Sequence, residues 1–545
     1  MSGGVQIIEP WKARRLSGGA LGTFIDRIIA PFAPAAALRR VRQREAIEAL
    51  AIYGAAIKNR LNADWIAPAT YADQALGDIP LMNARARQSV RDDAYSKSAV
   101  NAYRRHIVSC GITPSANARD PFTGEELPEF NAPANKWFYI WAENPEYCDQ
   151  EGKKTFVMTQ DLSVSEMVTV GEALVLMNYV PDREMVGLRL QMIEPEQIDT
   201  LPTFNRDTGN RVNGGVEIDK YGRPVAHYLY TDQHPLETGY GGYVWRRGQS
   251  ERVLADRVIH LMRHDRVRQS RGYTWLSPVL QDLRDLKQYD DYTMIAAKFE
   301  ACLCGILVED PTAASAAGDP MSLIGSTTGG TETDTRGNEK IRLEPGTVQR
   351  VSAAGGGDVK FLVPQRPGNL YEPFSKTKIS KIAAGADLDY PTVSRDFSGN
   401  TYAGQREGKN ERDAALDPIQ LLMIAALCRR VWNRFQEIAI QEGRYPAPHF
   451  FDSVPWRHAY LACNWRGSPK RPIDPEKEAN AQKTRLETGM ETLDGAWNET
   501  NGGDWRDGMR QRADEERFCV EQDPPVDLPH FHPASGASAP PKGAE

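Results

Sequence analysis

Residues 275–301 read WLSPVLQDLRDLKQYDDYTMIAAKFEA. Leu276, Val279, Leu280, Leu283, Leu286, Met294 and Ala297 recur at helical spacing, which predicts one long amphipathic helix. Ser277 and Pro278 predict its start: a capping hydroxyl, then a proline whose missing N–H costs nothing in a first turn. At 1.5 Å per residue such a helix is ~39 Å long. Lys287 and Asp290 interrupt the apolar stripe. By itself the segment reads as an ordinary core helix. Its neighbours change that reading.

Downstream comes a short strand, ILVEDP, at 306–311. Residues 312–338 are rich in Gly, Ser, Thr and Ala. Apart from Met321, Leu323, Ile324 and several alanines they lack apolar surface, so mobility is expected there. Strand-like text at 340–352 and 358–365 flanks a glycine run. A second helix is predicted from about Pro373 to Gly385. Residues 386–404, ADLDYPTVSRDFSGNTYAG, read as a polar loop. Asp396, Ser398, Gly399, Asn400 and Gly404 are turn formers, so this stretch should continue neither flanking helix. A long helix is predicted over about 405–442, kinked at Pro418, which lacks a backbone donor. Asp474-Pro475 opens a further helical region to about Phe518, and the Pro/Ser/Ala-rich tail from Pro524 predicts disorder.

Upstream, residues 1–40 mix Gly-Gly pairs with scattered arginines and predict a partly disordered arm. Helices are predicted at 41–66 and 82–109, and a Pro/Asn-rich loop at 112–135. The aromatic run KWFYIWAENPEYC at 136–148 predicts a buried helix or an interface anchor. A polar helix from Phe156 gives way to strands, GEALVLMNYV and GLRLQMIEP. Further strands are predicted within 214–230, turning at Tyr221-Gly222-Arg223-Pro224, and at 257–262. The fold class is therefore α+β.

The chain has 545 residues, 41% hydrophobic and 26% charged, with net charge −7. That length can hold several subdomains. The acidic balance argues against tight DNA binding driven by counterion release, though not against DNA passing close by. Seven cysteines at irregular spacing make neither a disulfide framework nor a zinc cage, and point to a reducing compartment. No apolar run reaches the ~18 residues of a membrane span. Lys12, Arg14 and Arg15 are not followed by a secretory apolar segment.

Signals for catalysis are weak. There is no GxxxxGK[ST] phosphate loop, no GxGxxG after a strand and no HExxH. Gly399 and Gly404 have phosphate-loop spacing, but Gln405 and Arg406 stand where Lys and Ser/Thr are needed. His260 and His264 would share a face only on a helix, and RVIHLMRHDR reads as a strand entering a loop. Asp290 and Asp291 point ~100° apart on a helix, and pairing with Lys287, at i, i+3 and i, i+4, is the simpler account. No catalytic, cofactor-binding or metal residues are assigned.

The order of elements is more informative: long helix, strand-containing excursion, second helix, glycine loop, long helix. In this order and in distributed text the sequence resembles the lambda family of phage portal proteins. The matching pieces are QMIEPEQID (191–199), GVEIDKYGRPVAHY (215–228), VIHLMRHDRVRQSRGYTWLSPVL (258–280), ISKIAAGADLDYPTVSRDFSGNTYAGQRE (379–407), CNWRGSPKRPIDPEKEANA (463–481), and RLETGMETL…GGDWRDGMRQRADEE, ending at Glu516. The resemblance covers roughly 40–520. It departs at Ala386-Asp387-Leu388-Asp389-Tyr390, where many relatives have a Gly-x-Pro turn.

The resemblance implies a homododecameric ring at one vertex of the capsid, assembled in the host cytoplasm. It would be a DNA channel for packaging and ejection, and a docking site for the terminase large subunit and head-completion or adaptor proteins. Contacts with major capsid or scaffold protein and non-specific passage of double-stranded DNA are implied; a membrane or a cofactor is not. By position, the wing would take 41–274, the stem 275–301 and 369–385, and the clip 302–368. The channel loop would take 386–404, a kinked wing helix and connection 405–473, and the crown 474–520, with 521–545 as tail. Twelve helices at ~10 Å spacing enclose a lumen of ~28 Å after one helix width is removed, enough to pass a duplex.

Candidate channel-facing residues are Lys376, Lys378, Lys381, Asp396, Phe397, Ser398, Asn400 and Tyr402; candidate stem-packing residues are Leu276, Leu280, Leu283 and Leu286. The lysines either touch DNA weakly or form a solvated face. Phe397 and Tyr402 either pack neighbouring loops together or anchor each loop to its own helix. Two other classes fit less well. A packaging nuclease or NTPase needs a phosphate loop or carboxylate cluster and is separated by an ATPase assay. Another head, connector or scaffold protein is separated by whether the chain is found at one vertex of mature particles.

Overall fold

Asp93 decides where the first described α-helix stops. The computed structural model describes residues 72–230, 236–238, 242–244, 250–309, 331–333, 339–341, 347–352, 359–360, 371–399, 401–467, 474–500 and 505–521. The arm at 1–40, the helix expected at 41–66 and the tail from 522 lie outside these. Helix α1 (Ile79–Asp92) and helix α2 (Ala94–Ile107) replace the single helix expected over 82–109. Asp93 has an extended backbone, and its carboxylate accepts from the Ser96 N–H at 2.7 Å and from the Ser96 hydroxyl. A side chain that caps a new helix ends the old one.

Strand β1 (Thr113–Ala116) follows, then helix α3 (Pro128–Glu143), which starts eight residues before the aromatic run. The loop expected at 112–135 is thus partly helix. Its asparagines look inward: Asn131 and Asn135 accept from the backbone N–H groups of Ala118 (2.8 Å) and Ala116 (2.7 Å). Phe138 and Trp141 of α3 are buried, and the Trp141 indole donates to the Leu188 carbonyl at 2.8 Å. After the short helix α4 (Pro145–Cys148) comes helix α5 (Phe156–Val170), largely buried rather than polar-faced. Its polar residues are satisfied internally: Gln160 pairs with both backbone groups of Ile112 at 2.8 Å.

Gly171 ends α5 with φ +95°, and a β-carbon there would lie 2.2 Å from the Tyr273 backbone. Strands β2 (Glu172–Tyr179) and β3 (Leu188–Ile193) begin a three-stranded antiparallel sheet. A second sheet contains β4 (Arg211–Asn213), β5 (Val216–Ile218), β6 (Pro224–Tyr230) and, after the outlying hairpin β7 (Leu236–Thr238) and β8 (Gly242–Val244), β9 (Ser250–Leu254), in the order β4-β5-β6-β9. Gly222, at φ +88°, makes the expected turn before β6. Strand β10 (Val258–Met262) returns to the first sheet, giving the order β10-β2-β3. Leu174, Leu176, Ile193, Ile198, Leu229, Val253 and Val258 form a small core cluster that joins the two sheets.

A buried ionic cluster bolts the sheets together as well. Glu172 is fully buried and accepts from Arg271 Nε (2.8 Å), His260 Nε2 (2.8 Å) and the Gly272 N–H (2.9 Å). Burial alone would raise its carboxyl; the Arg271 charge and the His260 contact outweigh that and hold it at about 2. His260 Nδ1 lies 3.4 Å from His227 Nε2 on β6. His260 is on a strand, so it does not share a helix face with His264.

Helix α6 (Leu280–Cys302) begins later than Ser277 and Pro278 suggest. The Thr274 hydroxyl accepts from the Leu276 N–H (3.2 Å) and residues 275–279 make tight turns, so the entry is fixed before Ser277. Strand β11 (Leu303–Glu309) continues directly from α6. Strands β12 (Thr331–Thr333) and β13 (Glu339–Ile341) pair antiparallel. The segment expected to be mobile therefore contributes one hairpin strand, and the rest of 312–338 lies outside the described residues. Strand β14 (Thr347–Ser352) pairs parallel with β11, and β15 (Val359–Lys360) pairs antiparallel on its other side.

Helix α7 (Tyr371–Gly385), helix α8 (Tyr390–Ser394) and helix α9 (Tyr402–Met423) come next. α9 runs through Pro418 as α-helix. The irregularity expected at that proline is a π turn at Ile424–Cys428, after which helix α10 (Arg429–Gln441) continues. A π turn inserts an extra residue per turn, and here Met423, Leu427, Cys428 and Val431 all stay buried across it. Trp432 and Phe435 of α10 close on Phe138, with ring centroids 5.1 Å away in each case. Helix α11 (Val454–Leu461) leads to β16 (Cys463–Arg466), antiparallel to β1. Helices α12 (Pro475–Glu487), α13 (Leu493–Thr500) and α14 (Trp505–Glu521) divide the last helical region, with Asp474 accepting from the Lys477 N–H as cap. Among the described residues no helix is long and apolar enough to cross a membrane.

Candidate functional site

Helices α6 and α7 are consecutive long helices separated by the small sheet, and they lie antiparallel. Their contacts run in opposite order along the two sequences. Asp282 near the start of α6 accepts from Lys378 (2.9 Å) and Lys381 (2.7 Å) near the end of α7. Tyr289 stacks on Tyr371 at 5.9 Å with an interplanar angle of 14°, and meets Phe374 at 4.8 Å. The Tyr371 hydroxyl donates to Asp290 at 2.9 Å. Lysines 378 and 381 hold the Asp282 carboxyl below the usual range, whereas burial pushes Asp290 up.

The expected pairing of Lys287 with Asp290 and Asp291 does not form. Lys287 Nζ donates to the Asp92 carbonyl at 2.9 Å, clamping α6 to the end of α1, and Asp290 is left for Tyr371. Leu276, Leu283 and Leu286 are buried and Leu280 partly so, all within one subunit. Beyond Leu286 the burial stops: Tyr292, Met294 and Ile295 are 66%, 58% and 60% exposed. The uncovered apolar surface of α6 is therefore in its second half.

The segment 386–404 is less loop-like than its turn formers suggest. Ala386, Leu388, Thr392 and Val393 are buried, and the Tyr103 hydroxyl donates to the Ala386 carbonyl. α8 lies in its middle, and the last residues already belong to α9, capped by Thr401 accepting from the Gly404 N–H at 3.2 Å. Asp387 and the first residues of α9 are open, and so is the tip. There Asp396 accepts from the Ser398 N–H (2.9 Å) and hydroxyl (2.5 Å), which fold the turn and hold its carboxyl low. Phe397 is 57% exposed. Tyr402 has Lys477 Nζ of α12 at 5.6 Å from its ring centre, and Lys376 sits 5.6 Å over Tyr390. Asn400 lies outside the described residues.

The candidate residues thus fall into two neighbouring places: the lysines on the α6–α7 pair, and Asp396 to Tyr402 on the exposed tip. The acidic partner Asp282 was missed. Lys378 and Lys381 at i, i+3 spacing signal a shared anion, but nothing in the sequence says that it lies 96 residues earlier.

Comparison with known proteins supports the ordering of these elements. Residues 58–420 match the family described as phage portal protein, lambda family. The chain is 25% identical over 442 residues to the "Probable portal protein" of Halomonas phage phiHAP-1, covering 79% of this chain and 80% of the relative. It is 24% identical over 454 residues to "Portal protein B" of Escherichia phage lambda, covering 79% and 82%. Among solved structures it is similar to a chain of the "Neck of empty GTA particle computed with C6 symmetry", with 10% identity, a TM-score of 0.43, and 80% and 95% of the two chains covered. Because the family match takes in the two sheets, α6, the small sheet, α7, the exposed tip and most of α9, this chain belongs to the lambda family of phage portal proteins.

Proposed function

We propose that twelve copies form a closed ring at one capsid vertex, with DNA passing through the centre during packaging and ejection. Helices α6 and α7 serve as the stem, the β11–β15 region as the clip, the sheets with α1–α5, α9 and α10 as the wing, and α12–α14 as the crown. The tip at 396–401 lines the channel. The terminase large subunit, head-completion or adaptor proteins, and capsid or scaffold protein dock on the assembled ring in the virion or in the host cytoplasm.

The observation that carries this reading is the division of α6. Its first half is buried against its own chain, and its second half presents Tyr292, Met294 and Ile295 to solvent. A helix of which half is apolar and uncovered needs neighbours to cover it. The tip supports the channel role because residues before it (Ala386, Leu388, Thr392 and Val393) are buried and the helix after it is capped, while Phe397 at the tip is exposed. Such a tip can be changed without unfolding its base. The test is deletion of residues 396–400. Rings and procapsids form normally and DNA packaging or retention is impaired; a deletion variant that packages and retains full-length DNA would refute the channel role.

A further inference from the structure

Arg104 and Arg105 are neighbours on α2 with different surroundings, because adjacent helical residues do not share a face. Arg104 pairs with Asp161, whereas Arg105 is exposed beside the junction of α2, α8 and α9. That junction is tied by hydrogen bonds. The Ser98 hydroxyl of α2 donates to the Thr392 carbonyl of α8 at 3.3 Å, and Arg412 of α9 donates to the Thr392 hydroxyl at 3.1 Å. Gln420 of α9 donates to the Ile107 carbonyl at the end of α2 at 2.9 Å. Three guanidiniums are gathered there, Arg105 from α2, Arg395 from the end of α8 and Arg412 from α9. They act on one another: partial desolvation lowers the Arg105 guanidinium from its ordinary value, and the Arg395 and Arg412 charges lower it further.

Of the three, Arg412 is balanced, with Asp389 at 3.6 Å and Asp413 at 3.5 Å. Arg105 and Arg395 are exposed, and among the described residues neither guanidinium has a hydrogen bond or an ion pair. The carboxylate next in sequence, Asp396, is taken up by the Ser398 N–H and hydroxyl inside the turn. Arg395 is held at its base. Its N–H donates to the Pro391 carbonyl at 2.9 Å, and its φ of +62° is one that a residue with a β-carbon adopts only when its surroundings impose it. Like charges brought together without counter-charge are relieved by an anion from outside. The position names that anion, because Arg395 directly precedes the exposed tip that the channel reading sets against DNA. Guanidiniums match phosphate oxygens, and two of them give weak, sequence-independent contacts.

We propose that Arg105 and Arg395 contact the phosphate backbone of duplex DNA at the base of the tip; the inference rests on the channel reading above. The experiment uses the full-length assembled protein and a short, labelled, random-sequence linear duplex. Affinity is measured from roughly 50 to 200 mM salt, where each phosphate contact adds about −0.9 to the slope of log affinity against log salt. With Arg105→Gln and Arg395→Gln together, the slope should become shallower by about two or more, so the affinity lost across that range shrinks by at least about tenfold. Arg105→Lys with Arg395→Lys should restore the slope. Ring mass is recorded on the same samples. A wild-type ring without salt-dependent binding overturns both this proposal and the DNA-channel reading. Wild-type binding with an unchanged slope in the Gln variant overturns the two arginines alone. Loss of ring mass in the Gln variant makes them a contact between copies, and overturns the proposal whatever the slope.

Discussion

Two positions on α6 separate folding from assembly. Leu283 is 1% exposed inside the subunit core, and Ile295 is 60% exposed three turns further along. Leu283→Ala removes buried methyls from a packed site and should cost about 2–5 kcal/mol of subunit stability. Ile295→Asp changes a side chain that is mostly exposed in the subunit, so subunit stability should change by no more than about 0.5 kcal/mol. In a ring the order reverses. A fully buried isoleucine contributes about 1.5–3 kcal/mol, and with more than half of Ile295 left to cover, docking should recover about 1–2 kcal/mol per contact. An aspartate there forfeits that and desolvates a carboxylate, a further cost of about 2 kcal/mol or more. Each subunit contact then weakens by at least about a hundredfold, since about 1.4 kcal/mol is one decade. The assay is paired: thermal unfolding for the subunit and mass photometry for the assembly. Ile295→Asp should give folded monomers, and Leu283→Ala should lower the melting temperature. Full-size rings from Ile295→Asp, with unaltered unfolding, would refute the argument that the second half of α6 is an intersubunit surface.

Two further outcomes are expected. Burial, and then the neighbouring His260, Arg271 and Arg430 charges, hold the His227 imidazole down at about 3, with Glu172 opposing. The unfolded chain takes up that proton near 6.5 while the folded chain refuses it, so stability present above that pH is lost as pH falls towards 3. His227→Phe should flatten this acid limb by about 1.4 kcal/mol per pH unit, seen in denaturant midpoints across a pH series. Gly171→Ala places a β-carbon 2.2 Å from the Tyr273 backbone at a positive φ, and should cost about 3 kcal/mol or more, read as loss of soluble, protease-resistant protein.

The sequence was legible where an element is decided by its own residues. Strands β2, β3, β5, β6 and β10, the turn at Gly222, helices α6 and α7 and the cap at Asp474 stand close to where spacing and turn chemistry put them, whereas β4 and β9 were not expected. It was not legible where a distant partner decides. Ser277-Pro278 reads as a cap, but Thr274 has already taken the first N–H. Asp93 reads as one more surface charge in a basic helix, and instead ends that helix by bonding Ser96. Pro418 is tolerated, and the register change falls after Met423 because burial on both sides of the π turn sets it. The lysines of α7 read as a free cationic face until folding brings Asp282 against two of them.

The junction between α6 and β11 has a mechanical meaning. Cys302 ends the helix and Leu303 begins the strand, with no linker between them. β11 is central, bonded to β14 on one side and β15 on the other. An axial tug on the helix therefore loads the strand's hydrogen bonds in shear, where they resist together, rather than peeling them one after another. A force applied to the small sheet reaches the middle of the subunit through that single stiff rod, with little slack to absorb it.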